Sequence, residues 1–194
     1  VPSSGRMGEL FIPGAKVIVQ AYPDDGRYKT RGRLTKVLYR EDIWVSVDSH
    51  LPNRLLQKAI LAGSIDEFKG SRELDSEVTY GQSRLDFSLL LGGKIGLIEV
   101  KSVTLVEDGR ALFPDAPTIR GARHVEELAK AVAEGYLGFV FFLIQRGDAR
   151  VFSPHQARDP EFAQVVLDAS AKGVQILAYD CLVTPDVVAI GKPI

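Results

Sequence analysis

Cysteine is almost absent from this 194-residue chain, and the single copy, Cys181, has no internal partner for a disulfide. No Cys and His spacing around it matches a zinc site. A disulfide scaffold and a structural zinc are therefore excluded, and a reducing interior such as the cytoplasm is the expected compartment. Long apolar runs are lacking too. The strongest, Gly138 to Ile144 (GFVFFLI), is far short of the roughly 20 residues a membrane helix needs. No basic-then-apolar leader opens the chain, so neither a membrane partner nor export is expected. An excess of one charge is also missing. With 24 Lys and Arg against 25 Asp and Glu, a net charge of -1 and a pI near 6.4 exclude the polycation that a sequence-blind nucleic-acid coat requires.

What is present is an ordinary globular composition, 45% hydrophobic and 25% charged, sufficient for one good core or two small ones. The first fifty residues read as all-β. Lys16 to Gln20, Tyr28 to Arg40 and Ile43 to Val47 are strand-like runs, separated by turn signals at Pro13-Gly14 and Asp24-Asp25-Gly26. This segment holds eight Lys and Arg against six Asp and Glu, so the small β module is cationic while the remainder is anionic.

After His50 the period changes. Leu51, Leu55, Leu56, Ala59 and Ile60 share one side of a helix that Pro52 can start and Gly63 can stop, which places a domain boundary near residue 50. Glu73–Tyr80, Arg84–Leu91 and Ile95–Val100 then read as an antiparallel meander, followed by a loop to Thr118. Ile119, Ala122, Val125, Leu128, Ala129 and Val132 predict an amphipathic helix, and Gly138–Ile144 a buried strand. Asp159 as cap and Pro160 at the first position open a further helix that ends at Gly173, before a strand over Val174–Tyr179. The order α, β, β, β, α, β, α, β predicts an α/β (α+β) fold, a mixed sheet flanked by helices.

Acidic residues stand inside the meander where apolar ones belong. In Leu97-Ile98-Glu99-Val100-Lys101, Glu99 and Lys101 share a strand face. Asp86 lies between Leu85 and Phe87 on the preceding strand, and Glu77 beside Val78 on the one before. Three carboxylates on adjacent strands are thus expected to converge, and such a cluster needs a counter-charge. Hard oxygen donors of this kind suit Mg²⁺ or Mn²⁺, and a neighbouring lysine can orient water and stabilise a phosphate in flight, so phosphodiester hydrolysis is the reaction class indicated. The same residues also fit a cross-strand salt bridge, with Glu77 merely solvated. Glu67-Phe68-Lys69 repeats the Glu-x-Lys spacing outside any apolar strand and reads as surface loop.

These blocks resemble one known family. Ser76-Glu77-Val78-Thr79-Tyr80-Gly81, Arg84-Leu85-Asp86-Phe87, Ile98-Glu99-Val100-Lys101-Ser102-Val103-Thr104-Leu105, Phe113-Pro114-Asp115-Ala116 and Arg120-Gly121-x-x-His124 are similar, in order, to the sugar fermentation stimulation protein A (SfsA) family. The likeness runs from Pro2-Ser3-Ser4-Gly5 to Ile176-Leu177-Ala178-Tyr179. It implies an N-terminal OB-like β-barrel over residues 1–49 and a PD-(D/E)xK restriction-endonuclease-like domain over residues 50–194. Members usually carry a further stretch before the Pro-x-x-Gly block. Because this chain opens at Val1 without an initiator Met, its barrel is expected to lack its beginning.

By position the resemblance makes Asp86 the first acidic motif residue, Glu99 and Lys101 the (D/E)xK pair, and Glu77 an additional upstream acid. Asp86, Glu99 and the Val100 backbone carbonyl would hold the metal. Leu85 stands where the motif has proline. Arg120 and His124, four apart near a helix N-terminus, match a phosphate contact, with helix-surface packing as the alternative. Arg27, Lys29, Arg31 and Arg33 would align four cations on one strand face able to track a nucleic-acid backbone, or simply form a charged edge strand. Ser102 either holds water at the metal or ends its strand. Trp44 and Tyr39 read as core, Cys181 as a small buried hydrophobe, and His50 and His155 receive no role.

The implied function is a DNA-binding, Mg²⁺- or Mn²⁺-dependent nuclease, linked by the family to regulation of sugar metabolism. Two alternatives stay open at this point: a non-catalytic DNA-binding regulatory protein retaining the nuclease fold, and phosphatase-like hydrolysis of a small phosphorylated metabolite. DNA against RNA, cutting polarity and oligomeric state, a homodimer included, are not specified by these residues.

Overall fold

The computed structural model describes residues 6–23, 27, 29–40 and 42–194. The Pro2–Gly5 block, the turn expected at Asp24-Asp25-Gly26 and Tyr28 lie outside the described residues. The chain forms strands β1 (Val17–Ala21), β2 (Gly32–Tyr39) and β3 (Ile43–Ser46), helix α1 (Leu51–Leu61), a short 3-10 turn (Asp66–Phe68), and strands β4 (Arg72–Tyr80), β5 (Ser83–Leu91) and β6 (Lys94–Val103). There follow β7 (Val106–Glu107), β8 (Arg110–Phe113), helix α2 (Ile119–Ala133), β9 (Leu137–Ile144), β10 (Val151–Pro154), helix α3 (Pro160–Ala171), β11 (Gln175–Val183) and β12 (Val188–Pro193).

The main sheet has six strands in the order β12-β11-β9-β6-β5-β4, with β9 parallel to both β6 and β11 and the other pairs antiparallel. Its centre is β9. Phe139 to Ile144 are completely buried because helices cover both faces of the sheet, which is why this strand is a continuous apolar run and not an alternating one. On one face, Val125 and Leu128 of α2 and Phe162 and Val166 of α3 pack with Val140 and Phe142. On the other, Leu56 and Ile60 of α1 pack with Phe87, Ile98 and Phe141. Gly138 allows α2 to lie directly on β9, since a Cβ there would sit 2.8 Å from Val132 Cγ2 and 3.3 Å from the Leu128 carbonyl oxygen.

The start of α2 is fixed twice. Thr118 caps it by accepting from Gly121 N–H, and Asp159, the cap of α3, also accepts from Thr118 N–H at 2.8 Å. One aspartate thereby ties two helix starts together.

The expected helices and central strands form, but the loop expected up to Thr118 does not. It contains β7 and β8, turned at Asp108-Gly109 with φ of 50° and 78°, the positive pair that a type I′ hairpin requires. β10 runs parallel to β8, and β12 extends the main sheet at its edge. Glu67-Phe68-Lys69 is not a surface loop either. Phe68 is buried edge-on against Phe139 at 5.0 Å, and Glu67 accepts from the Tyr179 hydroxyl.

Among the described residues, β1–β3 form a three-stranded antiparallel sheet without barrel closure. Its small core joins Val37, Val45 and Val47 to Met7 and Leu10. Two buried side chains join this sheet to the main one. Gln145 accepts from Ser46 Oγ and donates to Ser102 Oγ, both at 2.8 Å, while its carbonyl accepts from Ser46 N–H. Arg146, fully buried, binds both Asp148 oxygens at 2.6 and 2.7 Å and lies 4.5 Å from the centre of the Tyr39 ring. Cys181 is buried as expected, and desolvation pushes its thiol up to about 12, so it stays protonated.

Phe68→Ala is expected to destabilise the fold by about 3–5 kcal/mol. A lower urea midpoint at unchanged slope would register that loss, whereas a surface-loop Phe68 would leave the midpoint where it was.

Candidate active site

The site forms where β5 and β6 part. Their ladder runs from Leu91↔Lys94 to Phe87↔Ile98 and stops. One step further, Val100 N–H donates to Asp86 Oδ2 at 2.7 Å, so a side-chain carboxylate occupies the place of the next strand-to-strand bond. A strand residue directs its N–H and C=O to the same edge, so the Val100 carbonyl is aimed into the same gap. The second Asp86 oxygen accepts from Asn53 Nδ2 of α1 at 2.6 Å.

Glu99, on the neighbouring strand, is only 4% exposed. Its Oε1 accepts from Lys101 Nζ at 2.6 Å and stands 2.7 Å from His124 Nδ1. Its Oε2 is buried with no partner. Arg120 Nε–H points to His124 Nε2 at 3.4 Å, which makes that nitrogen the acceptor and places the ring proton on Nδ1, facing Glu99. These groups line a cavity of about 770 Å³ whose walls also carry Arg54 and Arg84.

The two carboxylates are pushed apart in proton affinity. Burial, then the neighbouring Glu99 charge, raises Asp86 above the ordinary carboxylate range despite the donors from Val100 and Asn53. Burial also pushes Glu99 up, but the His124 hydrogen bond and the Lys101 ammonium outweigh it, and Glu99 ends below its ordinary value. The stability gained from an ionised Glu99 is therefore present above the unfolded carboxylate range and is lost as pH falls through the lowered value.

Not every predicted residue joins this group. Glu77 lines the cavity but is exposed, at a left-handed φ of 57° that interrupts the alternation of its strand, and it pairs with Arg84 at 3.5 Å. Among the described residues no three His, Cys, Asp or Glu side chains are grouped as a metal site, so the expected three-carboxylate convergence is not formed. Two carboxylates and a backbone carbonyl remain. His124 is also used differently from the phosphate contact that its helix spacing predicts, for it is 3% exposed and both ring nitrogens face protein partners. Among the described residues the four-cation strand face is absent as well. β2 begins only at Gly32, so Arg27, Lys29 and Arg31 precede it, and Arg33 is drawn to Asp48 and Gln20.

Two contributors escape sequence reasoning. Asn53 is one polar residue on an amphipathic helix, and Gln145 follows an apolar run, so neither has a local signal. Only the fold brings Asn53 to Asp86 and Gln145 to Ser102. No described helix is long and apolar enough to cross a membrane.

A family model described as "Sugar fermentation stimulation protein RE domain" matches residues 50–187. The "Sugar fermentation stimulation protein homolog" of Desulforamulus reducens is 50% identical over 194 residues, covering 99% of this chain and 79% of that protein. That of Alkaliphilus metalliredigens is 48% identical over 192 residues, covering 98% and 82%. A solved structure described as "The structure of Pyrococcus Furiosus SfsA in complex with Ca2+" superimposes with a TM-score of 0.90 at 26% identity, covering 99% of this chain and 82% of that one.

Asp86→Asn removes a charge that its surroundings disfavour, so the metal-free variant is expected to melt at a higher temperature than the parent at neutral pH. The gain shrinks as pH falls toward the raised Asp86 value, where the parent carboxyl is already neutral. Thermal melts in EDTA across the acid range check both the sign and its pH dependence.

Proposed function

Since this chain belongs to the sugar fermentation stimulation protein (SfsA) family, we propose that it is a nucleic-acid-binding, divalent-metal-dependent phosphodiester hydrolase acting on DNA. The observation that carries this reading is the buried, unpartnered Glu99 Oε2 beside the desolvated Asp86 carboxylate. A buried anionic oxygen without a donor is costly, and a hard cation supplies the missing partner. The fit is good: Asp86, Glu99 and the Val100 carbonyl are hard oxygen donors on one sheet gap, and they would hold Mg²⁺ or Mn²⁺. The Pyrococcus furiosus relative was solved with Ca²⁺, a cation of the same oxygen-seeking class.

When bound, the cation would act as the Lewis acid for a phosphoryl oxygen. The protein's own groups divide the remaining work. Lys101 Nζ, which donates to Glu99 Oε1, would hold the attacking water and offset charge building on the phosphate. Asn53 keeps the Asp86 carboxylate turned into the gap. Arg120, Arg84 and Arg54 stand on the cavity wall, where an entering phosphodiester backbone would meet cations on more than one side. The mixed sheet with α1 on one face and α2 and α3 on the other is the frame in which we read residues 50–194 as PD-(D/E)xK-like, with β1–β3 as the OB-like module.

Metal-titrated cleavage of single- and double-stranded DNA and RNA tests the proposal. Glu99→Gln and Lys101→Met are each expected to lower the Mg²⁺- or Mn²⁺-dependent rate by about 10²-fold or more. Full activity in Glu99→Gln, or no cleavage of any of these substrates, would overturn it.

A further inference from the structure

We infer that His124 is a positioning residue for Glu99 and not a phosphate contact: its buried imidazole holds one carboxylate oxygen so that the other is presented to a divalent cation. This inference rests on the reading of Glu99 as a cation ligand.

A carboxylate can rotate about its terminal bond and exchange its two oxygens. Here both donors are on the same one. Lys101 Nζ reaches Oε1 from the same strand, and His124 Nδ1 reaches it from α2. Lysine alone is a weak brace because its stem is flexible. The imidazole is rigid, it is 3% exposed, and its helix is anchored through the Thr118 and Asp159 caps and the close approach at Gly138. With Oε1 held from two elements, Oε2 is left buried and without a partner.

Arg120 completes the arrangement. Its Nε–H lies 3.4 Å from His124 Nε2, and the ionised Glu99, which can only accept, calls for the same tautomer, the one in which Nδ1 donates. The four-residue spacing that places both side chains on one helix face thus joins two different tasks. Arg120, exposed at the cavity, remains able to meet phosphate, while His124 acts through Glu99.

The test measures cation binding directly. Mn²⁺ titration of the full chain by calorimetry, without nucleic acid, is compared for the parent, His124→Leu, which fills the buried volume without a donor, and His124→Asn, whose amide N–H can replace Nδ1–H. His124→Leu is expected to weaken Mn²⁺ binding roughly 10- to 100-fold, and His124→Asn to recover most of it. Affinity for a fluorescein-labelled single-stranded DNA oligonucleotide in EDTA should not change in either variant. Parental Mn²⁺ affinity in folded His124→Leu, or a loss confined to oligonucleotide binding, would overturn the inference. A parent that binds Mn²⁺ with this His124 dependence but cleaves nothing would remove the nuclease reading and leave the positioning role. A parent whose cleavage needs Glu99 while its Mn²⁺ affinity ignores His124 would do the reverse. No Mn²⁺ binding by the parent would remove both.

Discussion

A single hydrogen bond, from Val100 N–H to Asp86 Oδ2, organises everything around it. Where β5 and β6 would continue their ladder, the carboxylate takes the donor and the strands separate. The separation opens a gap between β5 and β6, while β6 stays paired with β9 along its other edge. A carboxylate in such a gap is desolvated, and a second one on the adjacent strand raises its proton affinity further. Backbone geometry is thereby converted into electrostatics. Glu99, given two donors, keeps its charge, while Asp86, buried and given neutral donors and an anionic neighbour, holds its proton more tightly than an ordinary carboxyl. Within the pair one buried oxygen, Glu99 Oε2, is reached by no protein donor, and under the proposed function a cation would be its partner.

How much of this was legible in the sequence depends on the range of the interaction concerned. Apolar periodicity located α1, α2 and α3 because each buries one stripe against the sheet, and GFVFFLI marked the central strand because it is covered twice. The strands missed were short or peripheral, although the Asp108-Gly109 pair was a visible hairpin signal. Strict alternation misplaced Glu77, since one left-handed residue breaks the face relation on which the argument relies. It also extended a strand through Arg27, Lys29 and Arg31 that begins only at Gly32. His124 was found through its spacing from Arg120, yet its partner Glu99 lies 25 positions away, and no local pattern announces that contact.

The near-zero net charge conceals a strongly uneven site. Three of the cations lining one cavity are each paired with an anion: Arg84 with Glu77, Lys101 with Glu99, and Arg54 with Asp48, which is buried behind the wall. These pairs differ in strength. Arg84 and Glu77 are both largely exposed, so their bond is weak and readily exchanged for another anion. Lys101 and Glu99 are shielded from water and are not. Under the proposed function, the outer pair would be the one to rearrange around a polyanion while the inner pair kept its geometry.

The seam between the two sheets has a consequence of its own. Arg146 is a charge without water, satisfied by Asp148, the Thr104 carbonyl and the face of Tyr39, and Tyr39 belongs to β2. Gln145 divides its amide between Ser46 of β3 and Ser102 of β6. Peeling β1–β3 away would uncover the guanidinium and strand half of that amide. The N-terminal sheet is thus a structural creditor of the main one, and a chain trimmed at residue 50 would inherit the debt as a loosened end of β9, two strands from Asp86.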